Sequence, residues 1–164
     1  MTRSKWIALV IFIFIAVMTS LTLFYRNIQV DHWQERQYVE ASLREYFVPE
    51  TIDYAEKYVW DEAYWIVKGN TPNGAEMYVV WKDLVILDSI DVSEILDPNT
   101  MVDMFQKTEP NSTIKTIKPA YFNEQLCWEI MYFSNQTNHS HIAFYNMNNG
   151  ERIENYTLPN KTGN

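Results

Sequence analysis

Twenty consecutive residues without a charge, Trp6–Tyr25 (WIALVIFIFIAVMTSLTLFY), constrain this chain more than any other feature. A helix rises about 1.5 Å per residue, so the run spans about 30 Å, the thickness of a bilayer's hydrocarbon core. Lipid offers no partner for backbone amides, and a helix pairs them internally. Trp6 and Tyr25 end the run, where amphipathic rings favour the headgroup level. A cleaved signal peptide has a shorter apolar core and a small-residue cleavage pattern, which Leu21–Arg26 lacks. The expectation is an uncleaved, single-pass signal-anchor. Arg3 and Lys5 crowd against one end, while Arg26, Arg36 and Arg44 are spread among acidic residues beyond the other. That asymmetry puts the N-terminus in the cytoplasm and the body outside the cell membrane.

All 21 acidic residues lie in residues 27–164, against ten of the 13 basic ones, leaving that stretch near −11. Nucleic-acid binding needs a basic stripe and is disfavoured. So is lying on an anionic membrane surface. A surface of this sign favours partners with basic patches, or serves solubility alone. Cys127 is the single cysteine, so no intrachain disulfide can hold the exported body. It precedes Trp128 in an apolar run and reads as a small buried residue, not a nucleophile.

Asp31–Phe47 reads as a helix, with Val39, Leu43 and Tyr46 on one apolar stripe, a Glu40–Arg44 pair on another face, and Pro49 ending it. Strand-like runs follow at 51–60, 63–68, 76–81 and 84–87, with turn chemistry at Gly69–Gly74 and at Lys82-Asp83. Asp97-Pro98 opens a second helix, with Met101, Met104 and Phe105 as its apolar face and Glu109-Pro110 as its end. Strands resume at 113–121, 125–133, 141–145 and 152–156, with a hairpin turn at Asn148–Gly150. The halves share the order helix, then four strands. At an offset of 64 residues Tyr64 meets Trp128, Ile66 meets Ile130, Tyr78 meets Ile142 and Trp81 meets Tyr145. The expected class is α+β, with a transmembrane helix and two tandem helix-plus-antiparallel-sheet lobes. The boundaries are a cytoplasmic tail at 1–5, the anchor at 6–25, lobes at 27–91 and 92–158, and a frayed tail at 159–164.

Motifs of chemistry are sparse. His139 and His141 lie two apart and would share a strand face, which suits a metal, but the favoured reading is a solvated surface pair. Asp61-Glu62 and Asp88/Asp91 could imitate a catalytic carboxylate pair, yet they flank strands in turns, where Asp is common. With no nucleophile elbow, zinc-binding helix or phosphate loop, neither an enzyme nor a cofactor is expected.

The arrangement resembles the family of the cell wall elongation regulator TseB (YpmB-like), small Gram-positive membrane proteins with tandem PepSY-like, cystatin-like domains. The resemblance rests on Tyr64–Gly69 (YWIVKG), a loop with Gly74 and Tyr78–Trp81 (YVVW) in the first half. In the second half it rests on Trp128–Tyr132 (WEIMY), Ile142–Tyr145 (IAFY) and Asn149–Glu151. Two departures stand out. Ser93-Glu94-Ile95 is followed by Pro98, shifting or kinking the second helix's start, and Asn146 stands where Asp is usual. The resemblance implies an extracytoplasmic, non-catalytic regulator that binds a penicillin-binding transpeptidase, or another wall-synthesis membrane protein, and modulates cell-wall elongation. The alternative is an inhibitor or chaperone-like module acting on an exported protease. Candidate partner contacts are the rings Tyr64, Tyr78, Trp81 and Tyr132, because Tyr and Trp dominate hot spots; the alternative, and the favoured one, is that the same rings are core. The Asn-x-Ser/Thr sites at Asn111, Asn135, Asn138, Asn155 and Asn160 read, in a bacterial chain, as composition and not as glycosylation acceptors.

Overall fold

The computed structural model describes residues 6, 11–24, 34, 37–39, 41–42 and 51–159. The chain divides into two units, Met1–Ala41 and Ser42–Asn164. In the first unit, Trp6 and residues 11–24 are helical, and the side chains of 11–24 are exposed. Thr19 and Thr22 return their hydroxyls to the carbonyls of Ile15 and Met18, each at 2.8 Å, which satisfies the polar atoms within the helix itself. Among the described residues no helix is long and apolar enough to cross a membrane. The remainder of the charge-free run lies outside the described residues, as do the 1–5 tail and residues 160–164. Of the expected 31–47 helix, residues 34, 37–39 and 41–42 are helical, with Val39 buried and Tyr38 exposed. Leu43, Tyr46 and the Glu40–Arg44 pair lie outside the description.

The second unit holds two four-stranded antiparallel sheets, ordered β1-β2-β3-β4 and β5-β6-β7-β8. The first comprises β1 (Thr51–Val59), β2 (Ala63–Asn70), β3 (Glu76–Lys82) and β4 (Val85–Asp91). The second comprises β5 (Ser112–Phe122), β6 (Gln125–Ser134), β7 (His139–Asn146) and β8 (Arg152–Thr157). Two hairpins close on two-residue turns with positive φ at both positions, Asp83-Leu84 (48°, 65°) and Asn123-Glu124 (51°, 59°). That twist matches the right-handed twist of the strands it joins. The first turn therefore falls one residue later than the expected Lys82-Asp83, and β4 runs to Asp91 instead of ending at Leu87.

Between the sheets, Asp91 caps a 3-10 turn at Val92–Glu94 by accepting from the Ser93 amide at 2.8 Å. Helix α1 (Pro98–Thr108) follows, its first turn capped by the Asp97 carboxylate, which accepts from the Asn99 and Thr100 amides at 2.9 and 3.2 Å. The departure at Ser93–Pro98 is thus a shifted start: a separate short turn, then a helix with proline at its first position. The intervening connector is pinned. The Leu96 amide donates to the Met147 carbonyl (2.8 Å), the Trp128 indole to the Leu96 carbonyl (3.0 Å) and the Asn148 side chain to the Glu94 carbonyl (3.1 Å).

Helix α1 lays Met101 and Phe105 on one face of the second sheet, where Phe105 meets Tyr132 at 4.8 Å and Tyr145 at 6.2 Å between ring centroids. One face of the first sheet, with Tyr58, Tyr64, Ile66, Tyr78 and Val80, joins the same hydrophobic cluster. The two lobes share one core. The other face of the first sheet carries Trp65, Val67, Val79 and Trp81, also buried. Strands covered on both faces lose the apolar-polar alternation of a half-exposed sheet.

Both sheets break register at equivalent places. β1 carries an extra residue, Asp53, opposite Gly69 and Lys68; β5 carries Lys115 opposite Tyr132 and Met131. β4 carries Leu87 opposite Val80 and Trp81; β8 carries Ile153 opposite Phe144 and Tyr145. The ladder also corrects the single offset of 64. Trp65 pairs with Trp81 as Trp128 pairs with Tyr145, so Trp65, not Tyr64, is the counterpart of Trp128. The β6–β7 hairpin is one residue longer between equivalent positions, and a one-residue slip exchanges the faces of a strand.

Candidate functional site

The four rings proposed as partner contacts are core. Tyr64, Tyr78, Trp81 and Tyr132 are 7, 9, 3 and 3 % exposed. Tyr64 packs edge-on against Tyr121 at 4.9 Å, and Tyr78 against Trp128 at 6.2 Å. Trp81 lies across the ladder from Trp65, and Tyr132 is held between Phe105 and His141. Their burial follows from position, since β2, β3, β6 and β7 are the interior strands of their sheets. Of the two readings of these rings, burial favours the core, and they offer no exposed face to a partner.

His141 is likewise not solvated. It is buried, stacks on Tyr132 at 5.0 Å, and engages Thr137 at 3.0 Å and Thr157 at 3.2 Å through its two ring nitrogens. His139 instead meets the Thr137 carbonyl at 2.7 Å. Among the described residues no cluster of three or more His, Cys, Asp or Glu side chains could hold a metal. Three of the four carboxylates suspected of pairing are engaged elsewhere. Glu62 binds Lys82, which holds its carboxyl below the usual range, and it accepts from the Tyr64 hydroxyl. Asp88 accepts the Leu126 amide at 2.8 Å, a hydrogen bond from one lobe to the other, and Asp91 caps the 3-10 turn.

A buried polar clamp also joins the lobes. Glu129, 4 % exposed on β6, accepts a 2.9 Å hydrogen bond from the Tyr58 hydroxyl and faces the Lys118 ammonium at 3.4 Å. Burial, and then the Glu129 carboxylate, pushes the Tyr58 hydroxyl up from its ordinary value. Cys127, on the same face of β6, is pushed up to about 12, by burial first and then by Glu129. At neutral pH it is a protonated thiol, consistent with the buried structural residue expected.

Two surface features remain. A cleft of about 290 Å³ opens between α1 and the β7–β8 hairpin, with Met101, Phe105 and Tyr145 among its lining and an Arg152–Glu109 ion pair (3.3 Å) beside it. That volume falls near the lower end of small-molecule sites, about 300–1,000 Å³. On the opposite face of the second sheet lies an aromatic platform. Phe122 and Phe144 stack in parallel at 4.2 Å, and Trp60, from the β1–β2 turn, stands edge-on to them at 6.0 and 4.9 Å. Tyr156 of β8 closes the group 5.3 Å from Trp60. The Phe rings are buried, whereas Trp60 and Tyr156 are 37 and 39 % exposed. Sequence reasoning passed over Trp60, although a tryptophan in a turn between two strands is already a surface signal.

No family model and no curated protein matches the sequence. Among solved structures, the YpmB protein from Bacillus subtilis is similar at a TM-score of 0.64 and 22 % identity, over 73 % of this chain and 96 % of that one. The fold is YpmB-like. A chain from Clostridium difficile 630 classed as a lipoprotein (CD1622) covers 74 % of this chain and 90 % of its own at 10 % identity, and its TM-score of 0.38 carries no argument. At 22 % identity the likeness to YpmB concerns backbone architecture alone: two α+β lobes built on four-stranded antiparallel sheets.

Proposed function

We infer that this chain is a membrane-anchored, extracytoplasmic, non-catalytic regulator that docks on a penicillin-binding transpeptidase and modulates cell-wall elongation. The observation that carries this reading is the combination of a twenty-residue charge-free run with a two-lobe, YpmB-like body. The N-terminal run would anchor the chain as a transmembrane helix, and the lobes would stand on the outer side as tandem PepSY-like, cystatin-like domains. The equivalent register breaks at Asp53/Lys115 and Leu87/Ile153 support the tandem description. Anchoring raises the lobes' effective concentration for a partner in the same membrane, so modest contact area suffices for binding.

The test is to exchange residues 51–158 for an unrelated acidic domain while retaining the N-terminal segment, then to follow co-purification of the transpeptidase from source-cell membranes. Loss of the enzyme from the purified material is expected. Its retention would place recognition in the N-terminal segment and overturn the reading.

A further inference from the structure

The platform around Trp60 combines an exposed indole and an exposed phenol. Among the described residues a lysine ammonium lies over each of Tyr58 (Lys118, 5.2 Å), Tyr64 (Lys82, 5.4 Å), Tyr78 (Lys68, 5.8 Å) and Phe133 (Lys115, 5.6 Å). Indole is the strongest cation-binding face of the aromatic side chains. Yet the ring contacts of Trp60 among the described residues are Phe122, Phe144 and Tyr156, all aromatic, and none brings a cation. The platform is open to solvent. Its floor is a buried Phe–Phe stack, and Val59 beside it is 64 % exposed.

Carboxylates rim it. Asp61 follows Trp60 and is exposed, its Oδ1 accepting the Glu62 amide at 2.8 Å. Glu154 lies opposite Phe144 and Tyr156 opposite Ile142, so Glu154 and Tyr156 share one face of β8. Among the described residues Glu154 accepts only its neighbour's amide, from Asn155 at 2.9 Å. Neither carboxylate forms an ion pair with a described residue. An exposed indole and phenol beside two carboxylates that form no described ion pair, on a body near −11, complement a cation carried on an apolar stem.

We propose that Trp60 and Tyr156, flanked by Asp61 and Glu154, form a docking platform for a basic segment of a protein partner, one arginine or lysine lying over the indole while the carboxylates take its charge. Arginine suits the site better, because a planar guanidinium stacks on a ring and still donates at its edges to carboxylates. The proposal deepens the regulator reading and rests on it for the partner's location outside the membrane, but the chemistry of the segment is independent of the partner's identity.

A photoreactive residue at Val59 of the full-length chain, with a second at Leu87 on β4 as control, captures the occupant in intact source cells, and mass spectrometry reads the captured segment. A segment bearing arginine or lysine is expected from Val59. Trp60→Ala should reduce its capture about tenfold, as truncation of an anchor residue does. Asp61→Asn/Glu154→Gln leaves the apolar platform in place and should reduce capture about threefold to tenfold, with a weaker dependence on salt. Capture of a segment without basic residues, of lipid alone or of a second copy of this chain would overturn the proposal, as would no capture, or capture indifferent to the Asp61/Glu154 change. A transpeptidase captured from Leu87 but not from Val59 would overturn the platform and leave the regulator reading standing. A basic segment of a protein unrelated to wall synthesis would do the reverse.

Discussion

The Tyr58 hydroxyl, one residue from the end of β1, donates a 2.9 Å hydrogen bond to a Glu129 carboxylate buried in the other lobe. The bond spans 71 residues of sequence and ends on a carboxylate that is almost wholly buried. Removing its donor exposes the asymmetry of buried hydrogen bonds: making one yields little, while leaving a charged acceptor unsatisfied is costly.

Tyr58→Phe is accordingly expected to destabilise the full-length chain by about 1.5–3 kcal/mol, the range for hydrogen bonds to charged groups. Urea unfolding in detergent should show a lower midpoint at an unchanged slope. An unmoved midpoint would mean that Lys118 alone, 3.4 Å away, satisfies the carboxylate.

Phe105 is fully buried between α1 and the sheet, against Tyr132 and Tyr145. Phe105→Ala should cost about 3–5 kcal/mol through lost transfer energy and the cavity left behind. Phe105→Leu should cost about 1.5 kcal/mol or somewhat more, being nearer in volume. Equal effects of the two changes would contradict the packing described.

At Gly150, φ is +71°, and an added Cβ would come within 2.7 Å of the Met104 methyl and 3.1 Å of a Leu96 methyl. Gly150→Ala meets both a backbone penalty and a steric one, together about 1–3 kcal/mol. Adding Met104→Ala should make the glycine replacement less costly than it is alone, because that methyl is the nearer obstacle. A double-mutant cycle with no coupling between the two sites would refute this account.

Alkaline pH should weaken the fold through groups that ionise more readily once unfolded. Cys127 is pushed up from 9.0 to about 12 by burial and by Glu129. Tyr145 is pushed up from 10.0 to about 12, by burial foremost, against the lowering pull of Arg152. Between about pH 9 and 12 the unfolded chain binds fewer protons than the folded one, so stability falls as pH rises. Below pH 9 the contribution of these groups is fully present. Urea midpoints should decline across pH 9–11, with a shallower decline in Cys127→Ala. A flat profile would mean that neither group is shielded from solvent.

Much of the scaffold was legible because local chemistry and tertiary structure agree. Asp97-Pro98 caps and starts a helix wherever it packs, and Asn148–Gly150 supplies a turn whatever it joins. The Asp83-Leu84 turn was misplaced by one residue, since a leucine at φ 65° goes against turn chemistry. The docking reading of the four rings fails for a different reason. Alternation separates two faces but does not say which is dry, and in β2 and β3 both are. Trp60, the last residue of the expected 51–60 strand, lies instead in the turn after β1, where alternation no longer assigns a face.

The pinned connector has a mechanical meaning. Residues 94–96 are fastened to the second lobe by three hydrogen bonds, and Asp88 ties β4 to the start of β6. Such a joint has no slack to swing on, so the lobes form a bracket and not a pair of pliers. A partner seated on either arm meets a fixed angle to the other, and little of its binding energy is spent on freezing one arm against the other.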